Sequence, residues 1–171
     1  MGTDTFPDSR WGHDRRLLKK PLNAFASSRI GSWYLRKLMP VDRKLLAHSK
    51  GRWTIFGPMG VPLLLLTTTG RKTGQTRTTP LTYMRDEDRL FLVGSNFGRP
   101  DHPAWSENLL ANREATVTIG GVEIPVNTTL LTGPEAESVF EQFVEFNPTY
   151  SVYKTRTARD LRVFALERRQ I

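Results

Sequence analysis

The sequence predicts a mainly β, antiparallel barrel with accessory helices, preceded by a helical N-terminal segment. Three observations support that fold class. From Arg52 onward the apolar residues fall into short runs bounded by turn residues, which is the pattern of strands. Asp86-Glu87-Asp88 and Gly120-Gly121 read as hairpin turns, and hairpins join antiparallel neighbours. Only two stretches of helical spacing interrupt the meander, and short strands linked by tight turns favour a barrel over a βαβ sheet.

Taken in chain order, Leu22, Phe25, Ala26, Ile30, Trp33 and Tyr34 recur at roughly helical spacing after Pro21, a frequent helix-starting residue. Arg29 falls inside this apolar arc and Gly31 interrupts it. The segment either packs across the barrel with a solvated basic face or lies on anionic lipid. Residues 1–15, with Asp4, Pro7, Asp8 and Gly12, are expected to be loosely ordered. Strands are expected at Trp53–Phe56, Pro62–Thr69, Thr76–Met84, Arg89–Ser95, Ala115–Ile119, Glu123–Leu131 and Leu161–Glu167. Pro80 and Pro125 lie inside two of them, so those strands should be bulged or at an edge.

A helix over Pro103–Asn112, capped by Asp101 or His102, would turn Trp105, Leu109 and Leu110 inward. A second, Gly133–Phe146, opens with the capping box Thr132-x-x-Glu135. Its Ala136, Val139, Phe140, Phe143 and Val144 form the stripe of a core-facing helix. The chain thus divides into a basic helical segment, residues 1–51, and a barrel domain, residues 52–171.

A length of 171 residues suits one domain with a real core. The absence of cysteine excludes disulfides, iron–sulfur clusters and thiol nucleophiles. His13, His48 and His102 show no metal-ligand spacing, so no metal is expected. The longest apolar run, Leu63–Leu66, is far too short to span a membrane, and a cytoplasmic protein is expected. The net charge of +8 is unevenly placed: residues 1–52 hold twelve Lys/Arg against four Asp, while the remainder is balanced. A nucleic-acid-binding domain would spread charge over a folded face, and no nucleic-acid motif is present, so no nucleic-acid partner is expected. A basic leader does suit peripheral contact with an anionic membrane.

The segment Leu63 to Arg77, LLLLTTTGRKTGQTR, carries the strongest functional signal. A buried strand ends in a turn where Arg71, Lys72, Thr73, Gln75 and Arg77 collect positive charge, hydroxyl and amide donors, and Gly74 can leave backbone N–H groups open. Such a turn can cradle a phosphate or carboxylate, or it can be a solvated hairpin that keeps a sheet edge soluble. It lacks the glycine spacing of a P-loop. Ser95 is not a hydrolase nucleophile, because the required glycines are replaced by Val93 and Phe97.

Together with the segment Gly94-Ser95-Asn96-Phe97-Gly98-Arg99-Pro100-Asp101-His102-Pro103-Ala104-Trp105, continuing to Asn112, this turn resembles the deazaflavin-dependent nitroreductase family, whose members use coenzyme F-420. Pro148-x-Tyr150-x-x-Tyr153, Thr157-x-Arg159 and the closing strand Arg162–Glu167 extend the resemblance over about Arg52 to Arg168. It implies a split β-barrel of the FMN-binding-protein type, a hydride carried on the deazaflavin ring, and an anionic phosphodiester and oligoglutamate tail held by Arg71, Lys72 and Arg77, with Thr73 and Gln75 as accessory donors. FMN is the competing cofactor. The chain departs from the family's pattern at Phe97, where glycine is common, at Ser106, where tyrosine is common, at Phe146, where an aromatic hydroxyl is frequent, and at Arg162, where proline is usual. Phe97, Ser106 and Phe146 are the expected substrate-pocket positions.

A planar deazaflavin needs an apolar wall and donors for its pyrimidine edge. Gly94, Ser95 and Asn96 are candidate donors, Trp105 a candidate wall or a core residue, and Asn108 an anchor for the loop. Tyr150 and Tyr153 lie one helical turn apart, as proton or hydrogen-bond donors in a pocket or as surface tyrosines. The expected activity is hydride transfer between reduced deazaflavin and an activated alkene, quinone or nitro compound, a small-molecule electron acceptor. The alternatives are an FMN-binding oxidoreductase and a non-catalytic deazaflavin carrier. A monomer or weak dimer is expected.

Overall fold

The computed structural model describes residues 62–169 continuously, together with Phe6, Pro7 and eleven positions between Ser28 and Ser49. The expected strand Trp53–Phe56 lies outside the described residues. Seven strands follow: β1 (Leu63–Thr69), β2 (Thr76–Thr82), β3 (Met84–Asp86), β4 (Arg89–Val93), β5 (Glu114–Ile119), β6 (Val122–Leu131) and β7 (Val163–Arg168). They form one antiparallel sheet in the order β2-β1-β5-β6-β7-β4-β3.

The two edges of this sheet, β2 and β3, are consecutive in the chain with only Tyr83 between them. A sheet whose edges are joined by one residue cannot lie flat. It must curl until the edges approach, without a ladder between them, which is the split barrel. The single strand expected over Thr76–Met84 is therefore two strands that belong to opposite edges. Tyr83 turns the corner, buried, with its N–H donating to the Pro62 carbonyl at 3.2 Å.

Pairing explains the prolines. Pro80 lies opposite Leu65 on β2, which pairs with β1 alone, so it occupies an edge strand as expected. Pro125 differs: β6 is an interior strand, and its register with β5 runs unbroken from Glu114↔Asn127 to Ile119↔Val122. It is tolerated because the ladder to β7 stops at Val126. Gly120 and Gly121 both have positive φ, 58° and 86°, as a two-residue hairpin between β5 and β6 requires.

Alternation along the central strands builds two cores. Leu90 and Leu92 of β4, with Phe164 and Leu166 of β7, join Leu64, Leu66, Val117, Ile119, Ile124 and Val126 in one cluster. Phe91, Val93, Val163 and Ala165 point to the other face. There the helix α2 (Gly133–Phe146) lays down Val139 and Phe143, with Ala136, Phe140 and Val144 at the margin, the stripe expected from sequence. Thr132 is the N-cap of α2 without a side-chain hydrogen bond. The expected capping box does not close, because the Glu135 carboxylate binds Arg89 at 2.9 Å instead.

Helix α1 (Ala104–Ala111) begins after Pro103, so neither Asp101 nor His102 caps it. Trp105 and Leu109 are buried as expected, but Leu110 is 44% exposed. The short helix α3 (Thr149–Thr155) follows α2 after Asn147 and Pro148. Phe6 corrects the expectation of a loose N-terminus at that position. It is 2% exposed in the first core, its carbonyl accepts from Arg85 Nη1 at 2.6 Å, and the Arg168 guanidinium lies 5.5 Å from its ring centre. Between Ser28 and Ser49 the backbone is helical at Ile30, Gly31, Trp33, Lys37, Leu38, Val41, Asp42, Leu45 and His48.

Candidate functional site

The β1–β2 turn is built from its own backbone. Gly70 N–H donates to Gln75 O at 2.8 Å, Gly74 N–H to Gly70 O at 2.8 Å and Thr73 N–H to Gly70 O at 3.2 Å. Gln75 N–H reaches the Thr73 hydroxyl at 3.4 Å. The backbone donors expected around Gly74 are therefore engaged within the turn, and what it offers a ligand is side-chain charge. Arg71, Lys72, Thr73, Gln75 and Arg77 are all exposed. Arg77 Nη2 donates to Gln75 Oε1 at 3.1 Å, which orders both.

Asn108 anchors this turn rather than the Gly94–Asn96 loop expected from sequence. From the buried side of α1 its Oδ1 accepts the Arg71 N–H at 3.1 Å, and its Nδ2 donates to the Thr68 hydroxyl at 3.0 Å. Glu107, the residue before it on α1, lies 3.9 Å from Arg71 and 2.5 Å from Arg162. The hydrogen bond from Arg162 holds the Glu107 carboxyl below its ordinary range, against the opposing effect of burial. Glu107 thus ties the start of β7 to the cationic turn, a link no sequence motif announced.

The second half of the site is the loop after β4. Gly94 N–H donates to Arg162 O at 2.8 Å and Ser95 N–H to Val93 O at 3.0 Å. These two amides, expected as donors to the pyrimidine edge, are engaged within the protein. Asn96 Nδ2 donates to Asp101 O at 2.9 Å, closing the loop on itself. Within the 3₁₀ turn Asn96–Gly98, Asn96 and Phe97 have φ of 45° and 57°. Glycine adopts such a left-handed backbone without the cost that a Cβ brings to Phe97.

Phe97 stacks edge-on against Tyr153 with ring centres 5.7 Å apart, and Tyr153 lies 6.1 Å from Tyr150, which contacts Phe143 at 5.3 Å. The tyrosine pair is buried, not on the surface. Burial, and then the neighbouring Tyr153, raise the Tyr150 phenol well above its ordinary value, while Thr82 hydrogen-bonds its side chain. Tyr150 therefore stays protonated throughout the physiological range.

Other expected positions fall elsewhere. Trp105 sits in the first core, tilted against Phe164 at 5.6 Å and 6% exposed, so its ring packs the barrel interior. Ser106 is fully buried, and its hydroxyl donates to Pro103 O at 2.9 Å. Arg162 Nη1 reaches that hydroxyl at 3.4 Å. Ser106 and Arg162 are thus in contact, the small side chain at 106 leaving room for the guanidinium. Phe146 is 44% exposed at the C-terminal end of α2. Arg159, from the Thr157-x-Arg159 motif, and His102 also lie against the loop after β4, with Arg159 bound to the Gly94 and Ser95 carbonyls and 3.3 Å from His102 Nδ1.

A split antiparallel barrel with a cationic β1–β2 turn and buried tyrosines packed against the loop after β4 has the architecture of the barrel oxidoreductases. The sequence model of the F420H(2)-dependent quinone reductases matches residues 40–168. An F420H(2)-dependent quinone reductase of Mycobacterium tuberculosis is 38% identical over 115 residues, 66% of this chain and 77% of that protein. Among solved structures, an F420-H2 dependent reductase superposes with TM-score 0.57 at 36% identity, covering 62% of this chain and 94% of its own. A domain-swapped dimer superposes with TM-score 0.59 at 33% identity, over 75% and 99%. The chain belongs to the F420H(2)-dependent quinone reductase family.

Proposed function

We propose that this chain oxidises reduced coenzyme F-420 and passes the hydride to a quinone, with activated alkenes and nitro compounds as further acceptors. The observation that carries the reading is the β1–β2 turn, where Arg71, Lys72 and Arg77 stand exposed on a backbone pinned to buried Asn108. Fixed cations on a rigid turn fit a phosphodiester and a carboxylate tail. Among the described residues no group of His, Asp or Glu gathers to hold a metal ion.

When bound, the reduced deazaflavin supplies a hydride to an electron-poor carbon. Arg71, Lys72 and Arg77, with Thr73 and Gln75, hold the anionic tail. Asn108 keeps Arg71 in place. Tyr153, and through it protonated Tyr150, offers a hydroxyl to the oxygen that gains charge as the acceptor is reduced. Phe97 and Phe146 contribute apolar surface to acceptor selection. Titration with coenzyme F-420 beside FMN, followed by turnover with a quinone, an enone and a nitroimidazole, tests the reading. Tighter binding of FMN, or binding of F-420 without turnover, would replace it by the flavin or carrier alternative.

The reaction also has a place. Ile30, Trp33, Val41 and Leu45 are exposed by 76, 53, 56 and 40%, and lie in the segment that holds the whole charge surplus. Exposed apolar side chains among cations suit the surface of an anionic membrane, from which a lipophilic quinone can be drawn by a cytoplasmic enzyme. Among the described residues no helix is long and apolar enough to cross that membrane.

A further inference from the structure

The loop after β4 is held in an unfavourable conformation from two sides. Asn96 and Phe97 are consecutive non-glycine residues at positive φ, each a local cost that the surroundings must offset. Below them, a Cβ at Gly98 would stand 2.7 Å from the Arg156 Cβ and 2.8 Å from the Tyr153 carbonyl oxygen. Only glycine fits there, so the loop is pressed directly onto α3. Above them, one side chain takes the carbonyls on both flanks of the kink. Arg159 Nη1 donates to Gly94 O at 3.1 Å, Nη2 to Ser95 O at 2.8 Å and Nε to Arg99 O at 3.0 Å.

The same Nη1 reaches Asp160 O and His102 Nδ1, each at 3.3 Å. A guanidinium only donates, so a hydrogen bond to His102 requires a neutral imidazole whose Nδ1 accepts, with the two Nη1 hydrogens shared among three acceptors. All these partners are neutral acceptors. Arg159 is therefore used as a rigid multi-pronged bracket, a task that a single ammonium cannot perform.

We propose that Arg159 is a positioning residue for hydride transfer: it fixes the Gly94–Arg99 turn against α3, so that the coenzyme-side loop and Tyr153 keep one relation to each other. The proposal rests on the reading of the site as a deazaflavin reductase. Its consequence falls on turnover more than on binding, because Arg159 is directed at carbonyls and not at the cationic turn that holds the anionic tail. His102 reports on the bracket. Arg159, Arg162, Glu107 and Asp160 face the imidazole, and a proton on Nδ1 would set donor against donor.

The test uses Arg159→Lys and Arg159→Met in the full chain. Coenzyme affinity is read from F-420 fluorescence, turnover from steady-state kinetics with a soluble quinone, and the His102 titration from NMR. Both variants should lose turnover, by about 100-fold for a displacement on the order of 1 Å, with coenzyme affinity nearly unchanged and lysine giving no rescue. In Arg159→Met the His102 midpoint should rise, since a neighbouring cation and the donor to Nδ1 are both gone. Wild-type turnover in a folded Arg159→Met protein, or parallel loss of turnover and coenzyme affinity, would overturn the proposal. If neither variant folds, nitrogen NMR of the Arg159 guanidinium in the wild type decides: a slowly exchanging Nε–H with restricted Nη rotation supports the bracket, and a freely rotating guanidinium rejects it. A wild-type protein that binds but never oxidises the reduced coenzyme would instead overturn the reading of the site.

Discussion

Phe97 is where backbone strain and recognition meet. A bulky residue at positive φ costs roughly 1–2 kcal/mol, and its edge-on contact with Tyr153 returns about 0.5–1.5 kcal/mol. Relief of strain thus offsets the lost ring contact. What remains is the ring's partial burial and the greater freedom of glycine in the unfolded chain, so Phe97→Gly should lower the denaturation midpoint only modestly. Its effect should appear in acceptor choice, as altered KM ratios between a quinone and a nitroimidazole at constant coenzyme affinity. A large stability change would show that the ring contact or the strain is misjudged. Lys72 offers the sharper test of the cationic turn, since Glu107 lies 3.9 Å from Arg71 and Arg77 is tied to Gln75. Loss of one charge-assisted hydrogen bond costs roughly 1.5–3 kcal/mol, so Lys72→Ala should weaken F-420 binding by about 10- to 150-fold. High salt should weaken the wild type more than the variant. Equal affinity in the folded variant would detach this turn from the coenzyme.

At the scale of elements, α1 is the joint between the two halves of the site. Asn108 links it to β1 and the turn, while Glu107 and Ser106 meet Arg162 ahead of β7. Asn108→Leu would leave the Arg71 N–H and the buried Thr68 hydroxyl without this partner, a loss of about 1–3 kcal/mol, measurable by chemical denaturation and accompanied by weaker coenzyme binding. Unchanged stability would mean that water replaces the amide. His102 adds a pH dependence. Burial first, then Arg162 and Arg159, hold its folded-state pKa below the ordinary value. The unfolded chain therefore binds the proton first, and stability should fall as pH drops from the ordinary histidine range, about 6.5, through the lower folded-state value. Glutamine at 102 should flatten that limb of the stability profile.

These elements also show what the sequence disclosed. The cationic turn, the α2 stripe and the Tyr150–Tyr153 spacing are local patterns, and each is found in the expected element. The engaged amide of Gly94 and the binding of the Gly94 and Ser95 carbonyls by Arg159 depend on partners 64 to 68 residues apart, a pairing that periodicity does not encode. Trp105 is ambiguous in sequence because an aromatic residue at the start of a helix suits a ligand wall and a core equally.

At the scale of the whole molecule, the barrel is closed by adjacency in the chain and sealed by a distant residue. Tyr83 joins the sheet's two edges, and Phe6 fills the first core beneath Arg168. Truncating Phe6 to alanine should cost about 3–5 kcal/mol. Deleting the leader would therefore confuse membrane attachment with stability. The clean test keeps Phe6 and replaces Arg10, Arg15, Arg16, Lys19 and Lys20 by glutamine. Each cation near an anionic surface contributes about 1 kcal/mol, so engagement of only two of the five would make vesicle binding roughly 30-fold weaker in their absence. The loss should be confined to phosphatidylglycerol vesicles, absent from phosphatidylcholine, and diminished at high salt. Trp33→Ser should weaken binding even at high salt, because its contribution is apolar burial. Equal binding of the wild type and the charge-neutralised protein to anionic vesicles would leave the exposed Ile30, Trp33, Val41 and Leu45 face without a lipid partner and place quinone reduction away from the membrane surface.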